Sequence, residues 1–179
     1  MRSRRSLLGT AACAIALALT GTLGTAQAAE ITPSAPAGDL VDLVEFKTTG
    51  DAGYFYTTNS GEAATATSKH KFTKNNGNGV IGKLHSGGGP GRNAVHRLRL
   101  RNGGPSYMLS ISPSEWRDGK FQDEGVIGYT DGAQKGGQAR LMRFSNHGKW
   151  RAFPDDAASV KTMKGAGWTV DGPLGWYQA

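Results

Sequence analysis

Apolar and polar residues alternate over short runs along most of the chain, and glycine-rich stretches punctuate the runs at intervals. That pattern predicts many short β-strands joined by turns. His96-Arg97-Leu98-Arg99-Leu100-Arg101 is the clearest case. A period of two puts His96, Leu98 and Leu100 on one face and the three arginines on the other. Helical periodicity is scarce: only Gly61–Lys71 and Asp155–Lys164 are predicted to form a helical turn or two, the second favoured by Asp155 and Asp156 at its start.

An internal repeat organises the strands. Gly79-Val80-Ile81-Gly82 recurs as Gly125-Val126-Ile127-Gly128 and, loosely, as Gly172-Pro173-Leu174-Gly175. Upstream, Val44-Glu45-Phe46 matches His96-Arg97-Leu98 and Met142-Arg143-Phe144. A ring follows nine residues after each last member, at Phe55, Tyr107 and Phe153, and another precedes each glycine motif, at Phe72, Phe121 and Trp168. The repeats run roughly over 42–86, 94–132 and 139–179, with Gly87–Gly91 and Gly132–Gly137 as linkers. A repeat this short cannot close a core alone, so three must pool their apolar faces. The expected fold is all-β: about four strands per repeat, about twelve in all, in a trefoil-like domain. A small propeller or an open repeat sheet is the alternative.

Residues 1–28 read as a signal peptide. Arg2, Arg4 and Arg5 precede an apolar stretch over Leu7–Leu23, and Ala26-Gln27-Ala28 fits a cleavage site before Ala29. Ser3-Arg4-Arg5-Ser6-Leu7-Leu8 also fits a twin-arginine signal, leaving the export route open. Residues 29–41 are a flexible lead-in. Removing the leader leaves 151 residues, one domain's length, with 18 Lys and Arg against 14 Asp and Glu, a net charge of +4. The single cysteine, Cys13, leaves with it, which excludes a disulfide scaffold. No apolar run in the mature part is long enough to span a membrane. So mild a charge on an exported chain argues against a nucleic-acid partner. The expectation is a secreted monomer without a membrane anchor.

Tyr54-Phe55-Tyr56-Thr57-Thr58 followed by Glu62, the Arg-aromatic pair Arg143-Phe144 with its variant Arg97-Leu98, Gly167-Trp168, and Glu124-Gly125 with Asp171-Gly172 carry a resemblance. Together they resemble a secreted bacterial and fungal repeat domain of unknown function. Its repeats carry Arg-aromatic, Phe-Tyr-Thr, Gly-Trp and Glu-Gly signatures. The resemblance covers nearly all of 43–177 and implies a secreted module that binds glycans. The repeats depart from the pattern in places: the second has Tyr107-Met108-Leu109, the third Trp150-Arg151-Ala152-Phe153, and the first has Asn78 where an acid would precede Gly79.

Rings that recur at equivalent positions belong to the core. Those outside that scheme, Tyr54, Tyr56, Trp116, Trp150 and Trp176, are the candidates to stack on a sugar, with Asp51, Asn59, Asn102, Asp118 and Asn146 near them in sequence to bond hydroxyls. Arg97, Arg99 and Arg101 are candidates for an anionic polymer. Catalysis is less persuasive. Gly77–Gly82 matches Gly-x-Gly-x-x-Gly without a following helix, no Gly-x-Ser-x-Gly elbow exists, and His70, His85, His96 and His147 lack metal-ligand spacing. Asp123-Glu124 and Asp155-Asp156 are the possible carboxylate pairs. The reading is a non-catalytic module for an extracellular glycan or cell-wall polymer, with no cofactor and no metal. The alternatives are a protein-interaction or protease-inhibitor module presenting the Gly87–Gly91 loop, and an enzyme without a recognisable motif.

Overall fold

The structure is a computed structural model and describes residues 38–179; the expected signal peptide and most of the lead-in lie outside the described residues. The first repeat contains β1 (Leu40–Lys47), β2 (Tyr54–Thr57), α1 (Ser60–Ser68), the two-residue β3 (Thr73–Lys74) and β4 (Val80–His85). The second contains β5 (Arg92–Leu100), β6 (Tyr107–Ser110), α2 (Pro113–Trp116) and β7 (Phe121–Asp131). The third contains β8 (Ala139–Asn146), β9 (Lys149–Pro154), α3 (Ala157–Gly165) and β10 (Thr169–Tyr177). No helix among the described residues is long and apolar enough to cross a membrane.

The chain is all-β and antiparallel, with the pairing order β2-β1-β4-β7-β10-β8-β9 and β5 and β6 branching from β7. Among the described residues there are ten strands, fewer than the expected twelve or so, because each repeat contributes three main strands and the first adds the short β3. A hairpin strand and a returning strand flank the central one: β1 between β2 and β4, β5 between β6 and β7, β8 between β9 and β10. The pairing path is an open sheet, and single pairs link the returning strands: His85 with Tyr129, Asp131 with Trp176, and the isolated bridge Lys83 with Gln178.

Each central strand is covered on both faces. Leu43, Val95 and Leu141 enter a shared core with Tyr56, Leu109, Leu174 and Tyr177. Phe46, Leu98 and Phe144 point the other way, into a smaller cluster within each repeat. Residues on opposite faces of one strand alternate, so a strand buried on both sides loses the polar face that alternation predicts. α1 and α3 sit close to the two predicted windows, whereas the single-turn α2 was not predicted; Asn59 and Asp156 cap α1 and α3 by accepting hydrogen bonds from the backbone N–H groups of Glu62 and Ser159.

Hairpin length corrects one sequence equivalence. Phe46 faces Phe55, but Leu98 faces Met108 and Phe144 faces Arg151, so Tyr107 and Phe153 do not occupy the position of Phe55. The β8–β9 hairpin turns through His147-Gly148, whereas β1–β2 spans Thr48–Gly53, and a fixed nine-residue spacing ignores that difference. The true counterparts are Tyr54, Tyr107 and Trp150, opposite Lys47, Arg99 and Ser145. Each caps the cluster of a neighbouring repeat edge-on: Tyr107 on Phe55 at 5.0 Å, Trp150 on Phe121 at 5.4 Å, Tyr54 on Trp168 at 6.0 Å.

The last glycine of each repeat motif has a matching cyclic role. A Cβ on Gly82 would meet the Tyr177 ring, one on Gly128 would lie 2.9 Å from Leu84 Cβ, and one on Gly175 would meet the Thr130 side chain. Each glycine is the seat for a neighbouring returning strand, so Gly128→Ala should overpack that seat and cost about 1–3 kcal/mol. Urea unfolding checks this against Gly136→Ala, where the added methyl meets nothing within 4 Å; that control should stay within roughly 0.5 kcal/mol of the parent.

Candidate ligand-binding clefts

Arg97 is 7 % exposed, which removes it from the solvent-facing arginine row expected of β5. Its guanidinium forks onto Glu62 of α1 (2.7 and 2.9 Å), while Nε donates to Glu124 (2.7 Å) and Nη1 also to the Tyr56 carbonyl (2.7 Å). The Phe55 ring lies under it at 4.5 Å. Arg143 repeats the arrangement one interface on, forking onto Glu115 of α2 (2.7 and 2.8 Å) and donating to Asp171 (3.0 Å) and the Leu109 carbonyl (3.1 Å). At the remaining interface the polarity is reversed. Glu45 stands where the arginine would be, fully buried, and receives Arg151 of β9 at 2.7 and 3.2 Å and the Tyr56 hydroxyl at 2.9 Å. The Arg-aromatic signature therefore marks joints between repeats.

The remaining candidates divide by exposure. Tyr56 is fully buried and its hydroxyl also accepts from the Ala152 N–H, so no sugar can reach its ring. Tyr54 is 9 % exposed, at the edge of a cleft beside Trp168. Trp116 is half-buried, with one face stacked on His96 at 3.7 Å; Trp150 is half-buried against the Leu98 cluster. Arg99 is exposed and lines a cleft of about 460 Å³ with Phe72 and Tyr107. Arg101 is exposed and donates to the Phe121 carbonyl.

Trp176 has the most sugar-like surroundings. Its flanking residues Gly175 and Tyr177 are buried, which turns the half-buried indole outward on β10. It lines an open cleft of about 560 Å³ with Gln134, Gln138, Arg140, Asp155 and Asp156. Sequence composition places Gln134 in the Gly132–Gly137 linker and gives Gln138 and Arg140 no role. Gln138 is held by Asp131, buried at the end of β7, which accepts from His85 (3.0 Å), Lys135 and Gln138 (2.6 Å), and Gln134 donates to the Gln138 carbonyl at 3.3 Å. Burial alone would push the Asp131 carboxyl up, but hydrogen bonds from Lys135, Gln138 and His85 outweigh it and hold the group well below the usual carboxylate range.

The carboxylate pairs are already engaged. Asp123 meets His96 while Glu124 meets Arg97; Asp155 lies 3.6 Å from Arg140 while Asp156 caps α3. Hydrogen bonds from Arg97 and Arg143 pull the Glu62 and Glu115 carboxyls down. Among the described residues, no group of three or more His, Cys, Asp or Glu side chains is disposed to hold a metal. The Gly87–Gly91 loop is tied down: its Gly87 carbonyl accepts from Arg92 at 2.6 Å and its Gly91 carbonyl from the Gly132 N–H at 2.7 Å.

Arg97→Met should cost about 2–4 kcal/mol in denaturant unfolding, somewhat less than a fully buried pair would, because Glu62 and Glu124 keep some contact with water. Carboxyls held low when folded stabilise fully above their unfolded values, near pH 4–4.5, and lose that contribution as pH falls through their folded values. Unfolding midpoints should therefore drop steeply below about pH 4, and Asp131→Asn should flatten part of that drop.

No curated protein and no solved structure matches the chain significantly. A family model does match, over residues 42–179, the span of all three repeats. The chain thus belongs to the DUF5648 family, a domain of unknown function.

Proposed function

We propose that this domain is a secreted, non-catalytic module that binds extracellular carbohydrate or cell-wall polymer, its three repeats closed in a trefoil-like ring. The observation that carries the reading is the Trp176 cleft. A sugar offers an apolar C–H face and a rim of hydroxyls; an outward indole beside amides, carboxylates and a guanidinium offers a complement to both. Gln138 is preorganised by Asp131 and Gln134 by Gln138, which lowers the ordering cost of binding. The carboxyl chemistry supports binding over hydrolysis. A glycosidase needs one carboxyl kept protonated near neutrality; of the cleft's two, Asp156 is the cap of α3, its carboxyl pulled down by hydrogen bonds from Ser159, and Asp155 lies 3.6 Å from Arg140.

The test is calorimetric titration of the protein with neutral oligosaccharides: cellohexaose, chitohexaose and xylohexaose. Saturable binding to at least one is expected, little changed by salt because neutral ligands are not screened. Trp176→Ala should weaken it at least about tenfold, the share expected of a central aromatic contact, with the thermal midpoint unchanged. Failure of all three sugars to bind, or equal binding by the Trp176 variant, overturns the reading.

A further inference from the structure

The β1–β2 turn and the β8–β9 turn meet beside the Tyr54–Trp168 pair and enclose a separate cleft of about 380 Å³. Two ammonium groups converge there on one carboxylate. Lys47 Nζ lies 3.2 Å from one oxygen of Asp51, and Lys149 Nζ lies 3.5 Å from the other. Two lysines against one aspartate leave one positive charge in excess. Asp51 is itself well exposed, at 60 % of its side chain, so burial does not compel this pairing. Both turns also hold a non-glycine residue in the left-handed region: Asp51 at φ 54° and His147 at φ 46°. Half-buried Trp168 forms the wall.

We propose that this cleft binds the carboxylate of an acidic saccharide, Lys47 and Lys149 taking the acid group and Trp168 the apolar face of the sugar. The chain's own Asp51 shows the fit, one carboxylate bridging two ammonium groups, and a ligand acid competes with it for the same cations. The related interface between the first two repeats lacks the surplus. There Arg99 stands opposite Tyr107 as Lys47 stands opposite Tyr54, but Glu62 and Glu124 balance Arg97 and Arg99 in the cleft. The third interface has Ser145 opposite its ring and no cation at that position. Pseudo-symmetry therefore supplies related walls, and the charge singles out one of them for an anion.

This inference builds on the reading of the domain as a saccharide binder, but it concerns a different cleft and can fail alone. The experiment titrates the protein with trigalacturonic acid and with its methyl ester, a neutral analogue of the same shape. The acid should bind at least about tenfold more tightly than the ester, and added salt should weaken only the acid. Lys47→Met and Lys149→Met should each lose roughly fivefold to tenfold. Asp51→Asn, which releases both cations, should gain several-fold. Lys47 and Asp51 keep 46 % and 60 % of their side chains in solvent and Lys149 keeps 33 %, and circular dichroism verifies that each variant keeps the fold. Lys120→Met, at an exposed position outside the cleft, should leave acid binding unchanged. Equal affinity for acid and ester, an equal loss in Lys120→Met, or displacement by inorganic phosphate at equal concentration overturns the assignment. Loss of neutral-sugar binding with acid binding retained would instead sink only the Trp176 reading.

Discussion

A central strand flanked by two short partners exposes two apolar faces, and a single repeat can cover only one of them. The small cluster of Phe46, Leu98 or Phe144 closes the outer face, with a helix or a ring from the next repeat. The inner face, carrying Leu43, Val95 and Leu141, is buried only when all the repeats meet. Everything polar near the joints follows from that. The strand position between the two apolar layers lies in the crevice between repeats, where an arginine is desolvated and must be met by carboxylates in good geometry. Arg97 and Arg143 are met by a forked glutamate at the third residue of the neighbouring helix, and each also bonds a strand carbonyl of that neighbour.

The exception follows the same logic. Ser159 holds the helix position of Glu62 and Glu115, so an arginine in the first repeat's strand would have lacked its forked partner. The strand instead carries Glu45, and the cation comes from Arg151 on the hairpin strand opposite, stacked between Tyr54 and Phe153 at 4.7 and 4.8 Å. Three positions in two repeats, Glu45, Arg151 and Ser159, depart from the other joints, and this joint keeps a buried ion pair of opposite polarity.

Much of this was legible in the sequence, and the parts that were not share a cause. The repeat period, the glycine seats, the apolar set of Phe46, Leu98 and Phe144 and the ring set of Phe72, Phe121 and Trp168 came from residue types that tolerate few environments, so their recurrence carried position with it. Alternation in β5 likewise placed Arg97 and Arg99 together on one face, as observed. What alternation does not carry is where that face looks. It assumes a polar face in water, and here the face is turned into a joint, so Arg97 became a candidate for a ligand while it was engaged by Glu62. Tyr56 was misplaced for the same reason. Trp176 was legible as a candidate ring because nothing in the repeat scheme claims it. Its rim was not: Gln138 is an ordinary loop residue held by Asp131, itself met by His85 from another repeat, and Gln134 is held in turn by the Gln138 carbonyl, contacts that no local pattern encodes.

The joints differ in charge more than in shape, and that difference is where recognition can arise in a pseudo-symmetric domain. Arg97 and Arg143 each face two carboxylates, so those joints carry a local negative balance, offset at the first by Arg99. The reversed joint pairs Arg151 with Glu45 one to one and contributes no surplus. Lys47 and Lys149 beside it then outweigh Asp51, and the positive excess lies against an aromatic wall that the other joints also possess in some form. A change of polarity needed to keep a buried arginine from going unpaired thus leaves the surface above it electrostatically distinct. Structural repair of one joint and selectivity of one cleft are, on this view, consequences of the same substitution pattern in β1, β9 and α3.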